Sequence, residues 1–160
     1  MDVQAEIDRV KNCDLAVQSA SEPLIISGLT KLFVKGKTKF LAVNNLGFGI
    51  APKECFGLLG LNGAGKTTTF KILTGELTAT SGQAYINGYN TVKERSQARR
   101  SLGFCPQFDY LPEYLTVQET FDLYCGLRGL DRSQVPKIID DMTKVFKLNE
   151  MSKKKVQDLR

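Results

Sequence analysis

The sequence contains no histidine, and none of its four cysteines belongs to a C-x-x-C pair. A zinc site is therefore not expected, and the cysteines are interpreted as reduced, mostly buried thiols in a cytosolic setting. No apolar run approaches the roughly 20 residues that a membrane-spanning helix needs. The polar N-terminus also lacks the features of a secretory signal.

The composition is that of a soluble globular protein. The 160 residues are 42% hydrophobic and 24% charged, enough for one domain with a core. The net charge is +5, and two short lysine clusters contribute to it: Lys35, Lys37 and Lys39, and Lys153, Lys154 and Lys155. Both are interpreted as solvated charge, with contact to anionic phospholipid as an alternative. Neither forms the stripe with interleaved aromatics that nucleic-acid binding favours, so no nucleic-acid partner is predicted.

One segment fits the phosphate-binding pattern G-x-x-x-x-G-K-[ST], with matches at Gly60, Gly65, Lys66 and Thr67. The pattern requires a buried strand before the loop and a helix after it. The apolar run Cys55–Leu59 predicts that strand. The residues from Lys66 contain no Pro or Gly until Gly75, which predicts a helix.

The chemistry of the loop follows from its residue types. Glycines let the backbone curve around an anion, and successive N–H groups then point at phosphate oxygens. The start of the helix adds the positive end of its dipole. Lys66 supplies a full charge, and the Thr67 hydroxyl suits Mg²⁺, which prefers oxygen ligands.

The rest of the chain alternates between strand-like and helical patterns. Residues 1–22 are interpreted as a polar linker with a short helix, because its apolar stripe is narrow. Strands are predicted at 24–29, 41–50, 83–87 and 102–105, with a basic hairpin-like loop over 31–39 and a charged helix over 94–100. A capping box of Thr116 and Glu119 starts another helix, and Pro136 lies in the first turn of the next.

Several segments together resemble ATP-binding-cassette (ABC) proteins. Leu59–Thr68 looks like their Walker A segment, Ser81–Gly88 resembles the strand after it, and Gly103–Asp109 is similar to their Q-loop. The sequences at Phe56–Leu59 and Cys105–Asp109 are similar to the corresponding segments of the A subfamily, the full-length lipid exporters. The opening Asp2–Val10 resembles the linker before the second nucleotide-binding domain of that subfamily.

The resemblance implies an α/β fold: a P-loop NTPase core of the ABC ATPase type, with an antiparallel β subdomain and the start of a helical subdomain. Residues 23–160 would form a partial nucleotide-binding domain that holds Walker A and the Q-loop. The signature segment, Walker B and the switch histidine of the family are absent from these residues, so the chain is expected to be truncated. Lys137–Asp141 is similar to a Walker B segment, but it lies within an apolar stripe with helical spacing. It is therefore interpreted as part of a helix and not as a Walker B strand.

The resemblance also implies roles for individual residues. Phosphate and Mg²⁺ would be held by Asn62, Gly63, Ala64, Gly65, Lys66, Thr67 and Thr68, with Thr67 as a metal ligand. Gln107 would contact the Mg²⁺ or the attacking water as the catalytic residue. Phe33 stands where the family usually has a Tyr that stacks on adenine, and Phe40 is the alternative.

The implied function is ATP binding, with Mg²⁺, in an ABC transporter ATPase that powers lipid transport. Its partners would be the transmembrane domains and a second nucleotide-binding domain, on the cytoplasmic face of a membrane. The chain alone is expected not to hydrolyse ATP, and the alternative is a non-catalytic nucleotide-binding or interfering module. A GTPase is disfavoured, because no N-K-x-D motif exists in the sequence.

Overall fold

A computed structural model describes residues 2–12, 21–107 and 110–159. The chain forms two compact units, Met1–Phe104 and Cys105–Arg160, which are described separately. The predicted α/β class with an antiparallel sheet is present in the first unit. None of the helices in the described part has the length and apolar character needed to span a bilayer.

The first unit is built on a four-stranded antiparallel sheet with strand order β2-β1-β3-β4. In chain order its elements are α1 (Val3–Asn12), β1 (Leu24–Lys35), β2 (Thr38–Ile50), α2 (Lys66–Leu73), β3 (Ser81–Ile86), β4 (Tyr89–Asn90) and α3 (Arg95–Arg100). The predicted basic hairpin is confirmed, but its turn is shorter than the sequence suggested. Strand β1 continues to Lys35 and β2 begins at Thr38, so only Gly36 and Lys37 form the turn.

The main hydrophobic core lies between one face of this sheet and α2. Ile26 of β1 pairs with Phe48 on one side and Ala84 on the other, so the three side chains share a face. They pack with Leu29, Ile72 and Leu73. This packing fixes α2 against the sheet through the last turn of the helix.

Helix α1 lies against strands β1 and β2 of the sheet. The short helix expected from the narrow apolar stripe is therefore confirmed. Val10 is fully buried and Ile7 is half-buried, whereas Val3, the first residue of the stripe, is exposed. The division at residue 22 between a linker and a domain stays a prediction.

The two strands predicted at Cys55–Leu59 and Leu102–Cys105 are wrong, since neither segment forms a strand. Leu59 is 92% exposed, and Phe56 is held only at the surface by stacking on Phe48, with ring centroids 4.7 Å apart. An apolar run becomes a strand only when a neighbouring strand satisfies its N–H and C=O groups. No strand of the described residues pairs with either segment. Cys55 and Cys105 are consequently exposed, against expectation, while Cys125 is buried and Cys13 lies outside the described residues.

The second unit contains α4 (Val117–Leu127), α5 (Val135–Val145) and two short 3₁₀ helices, Asn149–Met151 and Val156–Leu159. The predicted capping box is confirmed: the Glu119 N–H donates to the Thr116 hydroxyl at 3.2 Å, and the Thr116 N–H donates to the Glu119 carboxylate at 2.8 Å. These bonds from Thr116 hold the pKa of Glu119 below its usual range. The pair fixes the first turn of α4.

The apolar stripes of α4 and α5 meet in a small cluster of Cys125, Val135 and Ile139, with Phe121 and Ile138 at its edge. Tyr124, Met142 and Phe146 of this region are all exposed and lie outside the cluster. The Walker-B-like acids Asp140 and Asp141 are exposed residues inside α5. This helical position agrees with the interpretation that they do not belong to a Walker B strand.

Candidate nucleotide-binding site

The phosphate-binding segment forms a glycine-hinged loop that runs directly into α2. The Ala64 N–H donates to the Leu61 carbonyl at 3.1 Å, which closes a turn. Gly63 and Gly65 have φ angles of 87° and 89°. That left-handed region is open to glycine and costly for residues with a Cβ. The pattern therefore places glycine where the backbone conformation demands it.

A side chain at Gly65 is also excluded sterically, because the loop lies against strand β2. A Cβ on Gly65 would stand 2.2 Å from the carbonyl oxygen of Ala42, which is backbone and does not move aside easily. Strand β1 pairs Lys31 with Val43 and Leu32 with Leu41, which leaves Ala42 as the extra residue of a bulge. This contact between the sheet and the loop could not be predicted from the sequence.

The start of α2 presents unused backbone donors. The first N–H bonded back into the loop is that of Thr69, which donates to the Gly65 carbonyl at 2.8 Å. The N–H groups of Lys66, Thr67 and Thr68 find no acceptor among the residues that the structure describes. Such donors carry the positive end of the helix dipole. The segment therefore fits an anion with several oxygens, as a phosphate has.

The ammonium group of Lys66 lies on the loop itself. It donates to the carbonyl oxygens of Gly60 at 2.6 Å and Leu61 at 2.9 Å. The positive charge is thus held on the loop that leads into the free N–H groups. An anion bound there would exchange some of these ammonium–carbonyl bonds for stronger ones in which both partners are charged.

Two threonines of the first turn of α2 behave differently. Thr67 is exposed, and its hydroxyl forms no hydrogen bond within the described part of the chain. Thr69 is buried, and its hydroxyl donates a hydrogen bond to the Gly65 carbonyl at 3.1 Å. Unlike Thr69, Thr67 therefore has a hydroxyl available to a Mg²⁺ ion, which takes oxygen ligands. Sequence reasoning overlooked Thr69, which reinforces the loop-to-helix junction.

The aromatic pair considered for adenine lies on the hairpin of β1 and β2. Phe33 and Phe40 face each other directly across the two strands, and both rings are partly exposed. The Lys31 ammonium lies 5.1 Å from the ring centroid of Phe33 and donates to the Thr78 carbonyl at 2.7 Å. Lys31 was missed from the sequence, although its spacing of two residues from Phe33 already places both on one face of the strand.

Gln107 belongs to the second unit and is exposed. Its neighbours Phe108 and Asp109, which completed the Q-loop resemblance, lie outside the described residues. Its catalytic and metal-binding roles stay predictions.

A family model described as "ABC transporter" matches residues 43–159. The chain belongs to the ABC transporter family. This match includes β2 from Val43 onward, the phosphate-binding loop and nearly all of the second unit. ABC cassettes bind ATP and function with transmembrane domains, and the phosphate-binding loop of this chain lies within the matched residues.

Curated relatives fall in the A subfamily. ATP-binding cassette sub-family A member 2 of Rattus norvegicus is 45% identical over 139 residues, which is 84% of this chain and 6% of the relative. The phospholipid-transporting ATPase ABCA3 of Homo sapiens is 39% identical over 135 residues, 84% of this chain and 8% of the relative. The chain thus spans less than a tenth of the length of these relatives.

Solved structures agree on the fold. An ATP-binding subunit of an ABC transporter matches with a TM-score of 0.69 and 27% identity, over 82% of this chain and 53% of that chain. A dimeric ATP-binding cassette in a post-hydrolysis state, bound to ADP and Pi, matches with a TM-score of 0.69 and 23% identity, over 82% of this chain and 61% of that chain. The fold class expected from the sequence, an ABC-type P-loop ATPase, is confirmed.

Proposed function

We propose that this chain binds Mg²⁺-ATP through its Walker A loop as the ATP-binding part of an ABC transporter ATPase. The observation that carries the proposal is the set of free N–H groups at Lys66, Thr67 and Thr68, together with the Lys66 ammonium bonded to the loop before them. Donors of this kind bind phosphate oxygens without a change in the backbone.

Each residue of the loop then has a separate task. The backbone N–H groups of the loop, from Asn62 through Gly63, Ala64 and Gly65 to the start of α2, surround the β-phosphate. Lys66 leaves its two loop carbonyls and pairs with the β- and γ-phosphates. The Thr67 hydroxyl ligates the Mg²⁺ ion, and Thr68 adds its N–H at the first turn.

Adenine stacks on Phe33 in this proposal. The Lys31 ammonium already covers one face of that ring, and its bond to the Thr78 carbonyl holds it there. The base therefore uses the opposite face of the ring, with Phe40 beside it across the hairpin. Offset stacking of this kind suits an aromatic ring that is partly exposed.

Hydrolysis requires more than these residues. Gln107 is proposed to orient the attacking water or contact the Mg²⁺, since its amide both donates and accepts hydrogen bonds. The sequence contains no His, and its Walker-B-like acids lie in α5. We therefore infer that the 160-residue chain alone binds ATP without useful turnover, as a non-catalytic nucleotide-binding module would.

The transport role belongs to the whole protein. The ABCA3 relative is named as a phospholipid-transporting ATPase, which supports lipid as the transported class. We propose that the domain acts on the cytoplasmic face of a membrane, with transmembrane domains and a second nucleotide-binding domain as partners. The dimeric cassette among the similar structures supports a paired arrangement.

Calorimetry with ATP and Mg²⁺ tests the binding proposal. Lys66→Ala removes charge-assisted hydrogen bonds worth roughly 1.5–3 kcal/mol each, so affinity should fall about 10–100-fold. Lys71→Ala is the matched control, because Lys71 is an exposed lysine in the last turn of the same helix. Equal affinity for the two variants would overturn the assignment of the loop.

A further inference from the structure

The outer face of the sheet, opposite the α2 core, is covered by helix α1. Ile25 points to this face because its neighbour Ile26 points to the core, and Ile25 is fully buried. Ile7 of α1 comes close to Gly47 of β2, since a Cβ on that glycine would be 3.6 Å from the Ile7 Cα. Val10, the best-buried residue of α1, has no exposed surface. The helix is therefore packed onto the sheet rather than extended away from it.

An ion-pair triad holds α1 in this position. Arg9 on α1 binds the Glu6 carboxylate through Nε at 2.8 Å and Nη2 at 2.7 Å, and it binds Glu22 through Nη1 at 2.7 Å. Glu22 lies just before β1. The two carboxylate side chains are only 11% and 15% exposed, so the triad is not an ordinary surface pair.

The triad also reaches the backbone of β2. The Gly49 N–H donates to Glu6 Oε1 at 2.9 Å. A Cβ on Gly49 would lie 1.8 Å from Glu22 Oε2 and 2.7 Å from Arg9 Nη2. The absence of a side chain at Gly49 is thus what lets the triad close over the strand. The hydrogen bonds that Arg9 donates to Glu6, and then those it donates to Glu22, raise the pKa of Arg9, whereas the bond from Arg9 lowers the pKa of Glu6.

We propose that α1 is a releasable strap on the nucleotide-binding unit, closed by the triad Glu6–Arg9–Glu22 over Gly49. The strap lies wholly before the segment that the family model matches, which begins at residue 43. It ties together the start of β1 and the end of β2, the strand pair in which Leu24 opposes Ile50. Its hold depends on few groups: one buried valine, one half-buried isoleucine and three charged side chains. The strap therefore opens while the sheet stays folded.

Hydrogen exchange followed by mass spectrometry tests the strap in the unmodified chain first. An isolated helix of ten residues is marginal in water, so protection of the amides of residues 3–12 reports docking and not intrinsic helicity. Protected amides there are the expected result. Exchange at the rate of an unstructured peptide would overturn the proposal without any variant having to fold.

Two pairs of variants then test the triad. Arg9→Ala removes the cation of the triad. Gly49→Ala adds a Cβ that displaces the side chains of the triad without removing a charge. Their controls are Lys11→Ala, an exposed cation on the same helix, and Gly47→Ala, which gains only ordinary contacts. Arg9→Ala and Gly49→Ala should speed exchange in α1 about tenfold or more.

The amides of β3 decide between a strap and a core element. In both triad variants we expect β3 to keep its protection while α1 loses it. Equal loss in α1 and β3 would show that α1 is an inseparable part of the core, which contradicts release. Unchanged protection of α1 in Arg9→Ala would show that the triad does not close the strap.

Discussion

The carbonyl oxygen of Ala42 lies 2.2 Å from the point where a Cβ on Gly65 would stand. This contact joins a bulge in β2 to the loop that precedes α2. It explains why the loop keeps its curvature next to the sheet, and it makes the fit at Gly65 stricter than the fit at Gly63. A Cβ on Gly63 would meet nothing within 4 Å.

Gly65→Ala is expected to be the more damaging of two alanine substitutions in the loop. Each costs about 1–2 kcal/mol for a residue with a Cβ in the left-handed region. Only Gly65→Ala adds a backbone clash, so its loss of unfolding free energy should exceed that of Gly63→Ala. Urea unfolding of both, with Gly57→Ala as a control in open space, measures the difference. Equal losses would contradict the contact with Ala42.

Phe33→Ala should weaken ATP binding by roughly 1–3 kcal/mol, the value for stacking of a base on an aromatic side chain. Phe33→Tyr should be nearly neutral, because the ring is kept. Calorimetry on these variants and on Phe40→Ala identifies the ring that stacks. A larger effect of Phe40→Ala would show that the neighbouring aromatic holds the base.

Lys31→Met tests whether the lysine fixes the Phe33 ring. The substitution keeps most of the aliphatic stem but removes a cation–π contact worth about 0.5–1 kcal/mol and the bond to Thr78. ATP affinity should fall several-fold, and the effect should vanish when Phe33 is already Ala. A double-mutant cycle supplies this measurement. An undiminished effect in the Phe33→Ala background would place Lys31 elsewhere in the site.

Steady-state phosphate release by the purified chain should match that of Lys66→Ala. No histidine exists in the sequence, and the exposed acids Asp140 and Asp141 lie on α5. A turnover above about 1 per second, within the ordinary enzyme range, would refute this if Lys66→Ala abolished it. Asp140→Asn and Asp141→Asn would then be tested first as sources of the missing carboxylate.

Stability should depend on acid pH through Glu6. The hydrogen bond from Arg9, the Gly49 N–H and the charge of Arg9 lower the pKa of Glu6 below 4.5, although burial opposes them. Its contribution to unfolding free energy is therefore present above pH 4.5 and is lost as the pH falls through the lower pKa of the folded state.

Urea unfolding of the unmodified chain and of Glu6→Gln across this range measures the effect. The difference between them should be largest near neutral pH and shrink toward pH 3, where Glu6 itself becomes neutral. Glu150→Gln, an exposed carboxylate, is the control. A constant difference at every pH would mean that the charge of Glu6 contributes nothing.

Features that depend only on residues close in sequence could be predicted from the sequence. The capping box at Thr116 and the glycines of the phosphate loop need only their near neighbours, and both have the expected geometry. The segment Cys55–Leu59 failed because a strand needs a partner, and partners are set by pairing across the fold. The ion pair of Arg9 with Glu22 and the contact of Ala42 with Gly65 are likewise long-range.

The Lys66 ammonium has a further consequence for the speed of binding. By holding the carbonyls of Gly60 and Leu61, it keeps the loop curved before any nucleotide arrives. The conformational entropy of the loop is then lost during folding and not at the moment of encounter. Association should accordingly be fast and the off-rate should set the affinity, as for other pre-organised sites.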